Sequence, residues 1–349
     1  MKTSLEFWIL LPLLITSLAC AFVQNMIFPP SQSPMSTPLP TRLPDLAGKP
    51  EPITCTDDGC LQACLDRLEE VLQTSPFDSI GNSIYEEQGA EFDLVIYKVN
   101  GDQITDPATL YVPSEYHKYQ EDTASHLRVW EFYVGMIPPE LRTYVNEFVI
   151  FTDGSEGDTM AWVNPSAADE GFWQVGIDLL DSDYPLYLAD TLVHETAHLL
   201  TLNTSQISSD EDYYPYDEEQ GEFMYCNQYA GSGGCSQPGS YINLFYEKFW
   251  KDSYKEWWEA SQEAEGTETF DEYIQVMERF YENHSDWFIN SYAATNVEED
   301  MAESFSYFAL NPKPTGNSIY EQKASFFYDF PELVNYRQRI IEGLCSYTR

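Results

Sequence analysis

The segment that most constrains this chain runs from residue 191 to residue 200 and reads TLVHETAHLL. Its two histidines, His194 and His198, are four residues apart, so on a helix their rings leave the same face and can bind one metal ion. Glu195 then lies close enough to reach water on that ion without being a ligand itself. With 5 histidines in 349 residues, chance gives this spacing in roughly one such chain in a hundred. The motif therefore predicts a zinc site with Glu195 as the general base.

The residues around this motif predict a buried helix from about 185 to 202. Pro185 fits the first turn of a helix because its missing N–H needs no partner there, and Asn203 fits the end. Apolar residues cover most of the circumference, which is typical of a helix inside the core. Two core histidines satisfied by ordinary hydrogen bonds are the alternative interpretation.

A candidate third ligand lies downstream in the segment 292–305, which reads YAATNVEEDMAESF. The Thr-Asn pair before the acidic run is typical of a helix start. Glu299 and Glu303 are one helical turn apart, so one can bind zinc while the other accepts the N–H of a ligating imidazole. Glu298 and Asp300 are possible ligands as well. An acidic helix start that only faces solvent, favoured by the helix dipole, is the alternative without a metal.

Together, the two segments resemble a known family. HETAH, followed about a hundred residues later by Y-x-x-T-N-x-x-E-x-x-A-E-x-F, is similar to the gluzincin zinc metallopeptidases and most of all to the catalytic domain family of anthrax lethal factor. The resemblance implies that Glu299 is the third zinc ligand and that Glu303 lies behind the ligands without touching zinc. It also implies that Tyr292 assists the transition state. Asp300 departs from the pattern, because those relatives carry an aromatic residue after the ligand.

Periodicity and turn residues divide the chain into a strand-rich half and a helical half. Five segments read as strands: Phe92 to Val99, Thr109 to Val112, Glu147 to Thr152, Met160 to Asn164 and Phe172 to Ile177. Residues 242 to 263 and 269 to 285 read as helices. We therefore predict an α+β protein in which a sheet and the HETAH helix, up to about residue 203, precede a mostly helical half from 204 to 349.

This order of elements resembles the zincin-like plan of the gluzincins, in which a twisted sheet carries the metal-binding helix and an edge strand pairs with an extended substrate. The resemblance implies that Ala161, Trp162 and Val163 form the substrate strand. The segment 173–176 is the alternative edge, and both segments also suit plain core strands.

The N-terminal residues 1–19 have the layout of a secretory signal peptide, with a lysine and an apolar run before Cys20. Cleavage before Cys20 would leave a lipid anchor, as in bacterial lipoproteins, and that anchor would be the only membrane contact. Cleavage after Ala21 would instead release a soluble secreted protein. Residues 20–52 are rich in Pro, Ser and Thr and predict an extended tether. The metallopeptidase domain is then expected from 53 to 349.

The cysteine count agrees with export. Of 7 cysteines, six lie beyond Cys20, an even number that suggests three disulfides in an extracellular protein. Cys226 and Cys235 flank a Gly-rich loop and predict a local bridge. The other four are expected to tie the start of the domain to its end: Cys55, Cys60, Cys64 and Cys345. A cysteine-rich zinc site at 55–64 is the alternative.

The formal net charge of −41 argues against nucleic acid and anionic membrane surfaces as partners, because both would repel the chain. Clustered carboxylates at 153–158 and 208–219 are candidate Ca²⁺ sites, with solvated surface loops as the alternative.

These features predict a secreted or lipid-anchored zinc endopeptidase that cleaves a peptide or protein substrate with zinc-activated water. Imidazole and carboxylate ligands would also accept Co or Mn. A non-catalytic cell-surface binding lipoprotein with a structural or vestigial zinc site is the alternative function. Structural zinc sites are closed by four protein ligands, and the sequence offers three good ones.

Overall fold

The computed structural model describes residues 63, 91–154, 159–167, 169, 171–182, 185–208, 214–231, 233–267 and 269–347. The predicted signal peptide, the tether and the cysteines at 55–64 lie outside these residues, as do residues 155–158 and 209–213 of the acidic segments 153–158 and 208–219. No helix among the described residues is both long enough and apolar enough to cross a membrane.

The first half of the described chain forms a five-stranded mixed sheet. Its strands are β1 (Phe92–Asn100), β2 (Gln103–Thr109), β3 (Val145–Thr152), β4 (Ala161–Pro165) and β5 (Trp173–Asp178). They lie in the order β2-β1-β3-β5-β4. β3 and β5 are parallel, and every other neighbouring pair is antiparallel. Among the described strands, β4 therefore ends the sheet on one side.

Helices dominate the second half. Two helices, α1 (His117–Gln120) and α2 (Thr123–Met136), connect β2 to β3, and α3 (Pro185–Thr201) follows β5. Two short hairpins then pair β6 (Tyr216–Asp217) with β7 (Glu222–Phe223) and β8 (Ala230–Gly231) with β9 (Gly234–Cys235). The remaining helices are α4 (Tyr241–Phe249), α5 (Tyr254–Glu265), α6 (Phe270–Asn283), α7 (Val297–Leu310), α8 (Ile319–Phe326) and α9 (Pro331–Tyr347).

The prediction of an α+β protein is confirmed by this mixed sheet and these helices. The predicted strand from Thr109 to Val112 is wrong. The chain instead turns back at Gly101, whose φ of +62° suits glycine, and pairs residues 103–109 with β1. That strand reads QITDPAT, is mostly exposed and contains Pro107, so it lacks the apolar alternation that identifies a strand in a sequence.

The bridge between Cys226 and Cys235 is present, with Cα atoms 5.8 Å apart, as the flexible loop between them predicts. It holds β8 and β9 beside one another. Cys345 is disulfide-bonded too. The pairing of Cys55, Cys60 and Cys64 falls outside the described residues.

The helix α3 lies at the centre of the molecule, packed against both β4 and α7. Its apolar residues are fully buried, as the apolar circumference of the sequence predicts: Leu188, Ala189, Leu192, Val193 and Ala197. Because α3 is enclosed by the sheet on one side and by α7 on the other, many of its polar side chains are buried too, among them His194, Glu195 and His198.

One buried ion pair fixes α7 against its neighbours. Lys323 Nζ lies 2.6 Å from Asp300 Oδ2, with side chains 1% and 0% exposed. Trp250 Nε1 donates to the same carboxylate at 2.6 Å, and the ammonium lies 4.1 Å from the ring centre of Phe288. Burial raises the pKa of Asp300 and lowers that of Lys323, although each partner opposes the shift of the other. Desolvation therefore offsets much of the attraction, but removing one partner leaves a buried charge.

We expect Lys323→Met to destabilise the protein by about 3–5 kcal/mol, because Asp300 would remain buried without its cation. The matched control is Lys248→Met, which removes an exposed lysine 3.9 Å from Asp329 and should cost less than about 1 kcal/mol. The double variant Lys323→Met/Asp300→Asn should regain part of the loss because no charge is left. Unfolding in urea measures the free energy of unfolding of all three variants. Equally small losses in Lys323→Met and Lys248→Met would contradict the expected cost of leaving Asp300 buried without its cation.

Candidate metal centre

Three donor atoms converge at the contact between α3 and α7. His194 Nε2 lies 3.1 Å from His198 Nε2 and 3.1 Å from Glu299 Oε2. His198 Nε2 lies 3.4 Å from the same carboxylate oxygen. His194 and His198 are buried, and the Glu299 side chain is 16% exposed. The structure thus brings together the three residues that the sequence predicts as ligands.

The spacing of these atoms fits a zinc ion. Zn–N and Zn–O bonds of about 2.0–2.1 Å in a tetrahedral site place the ligand atoms about 3.3–3.4 Å apart. The observed separations of 3.1, 3.1 and 3.4 Å are close to that geometry. The donor set of two imidazoles and one carboxylate is also one that zinc accepts.

Hydrogen bonds alone account poorly for this arrangement. His194 Nδ1 lies 2.9 Å from Glu303 Oε1, so a neutral ring carries its proton on Nδ1 and has only a lone pair at Nε2. That lone pair would face an oxygen of Glu299 and a nitrogen of His198. A cation among the three atoms, either a metal or an added proton, removes this conflict.

The charges around the site favour a cation. Burial lowers the pKa of His194, but the carboxylates of Glu299 and Glu303 outweigh it and hold that pKa well above its ordinary value. Burial raises the pKa of Glu299, but His198 and His194 outweigh it and lower that pKa. The site therefore holds ionised carboxylate beside imidazoles, and a metal that binds there must displace protons from the rings.

Glu303 is itself fixed by a residue that the sequence did not single out. Asn290 Nδ2 donates to Glu303 Oε2 at 2.7 Å, and both side chains are buried. A carboxylate held in this way fixes the ring orientation and the proton position of His194. Asn290 lies just before the motif that begins at Tyr292, and nothing in its sequence context marks it.

Asp190, one turn before His194 on α3, is a second, half-buried acid behind the site. Burial and the charge of Glu303 raise the pKa of Asp190 to about 6. Ser306 of α7 donates a hydrogen bond to its carboxylate. This contact is a further cross-link between the two helices that carry the ligands.

The two other acidic residues at the start of α7 point elsewhere. Tyr229 Oη donates to Glu298 Oε1 at 3.5 Å, and a Cβ added at Gly231 would collide with that carboxylate. Asp300 belongs to the buried pair with Lys323. Of the three ligands that the sequence left open, the structure therefore places only Glu299 with the histidines.

The position of Glu299 follows from the way in which α7 begins. Asn296 is the N-cap, and its side-chain oxygen accepts the backbone N–H of Glu299 at 2.9 Å. This places the Glu299 carboxylate in the first helical turn, where the helix dipole favours negative charge.

Glu195 and Tyr292 both lie beside the ligands. Glu195 is 2% exposed. Burial lowers the pKa of His198, but the charge of Glu299 and, to a smaller extent, that of Glu195 raise this pKa above its ordinary value. The ring of Tyr292 lies 5.8 Å from the ring of His194, centre to centre, and is 8% exposed.

The predicted substrate strand coincides with β4, which packs against α3. Ala161 and Val163 belong to the main core, whereas Trp162 lies on the opposite face with Val149 and Phe151. The side chains of Ala161, Trp162 and Val163 are all buried. A bound peptide could therefore contact these residues only through their main chain. The alternative strand at 173–176 pairs with β3 on one side and β4 on the other, so it is not an edge.

Comparison of the chain with protein-family models, with curated proteins and with solved structures finds no match. The resemblance to the lethal factor family therefore stays a prediction, based on the two motif segments.

We expect the wild-type protein and Glu298→Ala to retain about one zinc per chain after dialysis, and Glu299→Ala to lose it. The two variants remove neighbouring carboxylates of equal size from the same helical turn, so Glu298→Ala controls for charge and stability. Glu303→Gln should weaken zinc binding by about 10–100-fold, because it affects only the orientation of His194. Elemental analysis by mass spectrometry measures the metal. Zinc loss in Glu298→Ala with retention in Glu299→Ala would refute the assignment.

Proposed function

We propose that this chain is a zinc-dependent endopeptidase of the gluzincin type, with a zincin-like arrangement of sheet, metal helix and glutamate helix. The observation that carries the proposal is the convergence of His194, His198 and Glu299 at zinc-ligand spacing, with Glu195 next to the first histidine. A chance H-E-x-x-H on a core helix has no reason to meet a glutamate from a helix about a hundred residues away.

The ligand count favours catalysis over a purely structural metal. Structural zinc sites are closed by four protein ligands, whereas catalytic sites keep one position for water or substrate. Among the described residues, the metal-binding group at α3 and α7 contains three members. Zinc bound there would polarise a carbonyl group and lower the pKa of water to about 7.

Glu195 is suited to move protons at such a site. Its carboxylate would accept a proton from the attacking water and donate it to the amine of the leaving peptide. Because Glu195 lies on the same rigid helix as the histidines, it needs no conformational change to reach its position. Burial at 2% exposure keeps it away from bulk water.

Tyr292 would stabilise the negative charge that develops on the peptide carbonyl oxygen. Loss of one such donor costs on the order of 3 kcal/mol in other enzymes. The ring of Tyr292 lies 5.8 Å from the ring of His194, centre to centre, and this proximity supports the proposed role.

The substrate would be an extended peptide or protein segment. β4 lies at the end of the sheet beside α3, so its main chain could pair with such a segment in the manner of strand addition. A segment bound along a strand extends beyond the cleaved bond in both directions, which is the reason for proposing an endopeptidase.

We also propose that the protein is exported. The bridge between Cys226 and Cys235 suits an oxidising compartment. The net charge of −41 makes nucleic acid an unsuitable partner. The protein would act outside the cell, secreted or anchored by a lipid at Cys20.

We expect Glu195→Gln to lower the rate of peptide cleavage by at least about 10²–10⁴-fold, because glutamine cannot accept the proton from water. Zinc content should stay unchanged, since Glu195 is not a ligand. The matched control is Glu298→Gln, which makes the same substitution near the metal but against Tyr229, and it should keep full activity. Cleavage of a fluorescently labelled unfolded protein and of a peptide library measures the rate. Equal activity of Glu195→Gln and wild type would exclude this mechanism.

A further inference from the structure

A second group of acidic side chains lies at the carboxyl ends of β3 and β5, where the chain leaves β5 towards α3. Asp153, Asp178 and Asp181 each offer a carboxylate oxygen, and these oxygens lie within 4.8 Å of one another. Asp153 follows β3, Asp178 is the last residue of β5, and Asp181 lies between β5 and α3. Because β3 and β5 are parallel neighbours, their carboxyl ends meet at the same edge of the sheet.

Backbone N–H groups hold the central carboxylate in place. Asp178 Oδ2 accepts the N–H of Asp153 at 2.9 Å, and Asp178 Oδ1 accepts the N–H of Leu180 at 2.6 Å. The side chain is fully buried. A carboxylate oxygen accepts more than one partner, so these bonds leave capacity for a cation. The carboxylate of Asp178 is therefore already oriented before an ion binds.

Asp153 supplies the observation that points to a ligand. This residue is 7% exposed, and its Oδ2 accepts the N–H of Thr159 at 3.0 Å. In the part of the chain that the structure describes, its other oxygen, Oδ1, is buried without a hydrogen-bond partner. A buried carboxylate oxygen without a partner is costly, and it calls for an explanation such as a bound ion.

Two of the three carboxylates, those of Asp153 and Asp178, have no positive side chain paired with them among the described residues. Burial, and then the charges of Asp181 and Asp153, raise the pKa of Asp178 to about 8. When Asp178 is ionised, three carboxylates held this close repel one another unless a cation lies between them.

We propose that Asp153, Asp178 and Asp181 bind a calcium ion that joins the carboxyl ends of β3 and β5 to the segment leading into α3. An all-oxygen, all-carboxylate donor set suits a hard cation, in contrast to the imidazole-containing site on α3. The three carboxylates supply part of the six to eight oxygens that Ca²⁺ takes, and carbonyl groups or water complete the shell.

This site is independent of the proposed peptidase activity, since none of its residues is a predicted zinc ligand. The sequence placed a candidate calcium site at 153–158, within one loop. The structure brings Asp153 close to Asp178 at the end of β5 and to Asp181 just after it, a grouping that the local sequence does not reveal. An ion there would stabilise the native state by mass action and would fix the approach to the metal helix.

The test is a calcium titration of the purified, zinc-loaded protein. Before the titration, a chelating resin removes free Ca²⁺ and free Zn²⁺ from the buffer. Isothermal titration calorimetry should find about one Ca²⁺ per chain with zinc retained, and the melting temperature should rise with CaCl₂ more than with MgCl₂. Wild-type protein that shows no saturable Ca²⁺ binding, or that binds only by releasing zinc, would overturn the proposal.

Variants locate the ion. Asp153→Asn and Asp178→Asn should each weaken Ca²⁺ binding by at least about tenfold, because each removes one ligand charge. Asp252→Asn, which changes an exposed aspartate elsewhere, should bind as tightly as wild type. If Asp178→Asn fails to fold, Asp153→Asn still decides the question. Unchanged affinity in Asp153→Asn would place the ion elsewhere and refute the site.

Discussion

The contact between α3 and α7 is the constraint on which the rest of the structure depends. A zinc ion requires donor atoms about 3.3–3.4 Å apart, and His194 and Glu299 are separated by 105 residues of chain. The proposed zinc site would therefore require the two helices to be placed to within a fraction of an ångström. The buried apolar residues of α3, the bond from Ser306 to Asp190 and the pair of Asp300 with Lys323 all serve to hold them.

Neighbouring groups compensate the charges of two buried carboxylates. Asp300 lies against Lys323, and Glu303 lies between Asn290 and the ring of His194. At each of these places a nearby group compensates the charge, as burial requires. Asp153 and Asp178 form no ion pair with a lysine, arginine or histidine in the described part of the chain, which supports the calcium site proposed there.

The sequence predicted those features that depend on local chemistry. The bounds of α3, the asparagine cap of α7 and the bridge between Cys226 and Cys235 all follow from residues close together in the chain. The choice of Glu299 over its neighbours depends on Tyr229 and Lys323, which are distant in sequence, so spacing alone left it open. β2 escaped prediction because pairing with β1, rather than an apolar pattern, makes it a strand.

Whether His194, His198 and Glu299 bind zinc is best tested by X-ray absorption at the zinc K-edge, recorded on the purified protein. This measurement reports the donor atoms around the metal. We expect only nitrogen and oxygen neighbours at about 2.0–2.1 Å, with the scattering pattern of two imidazoles, one carboxylate oxygen from Glu299 and one oxygen from water. A sulfur neighbour at about 2.3 Å, or protein without zinc after reconstitution, would contradict this expectation.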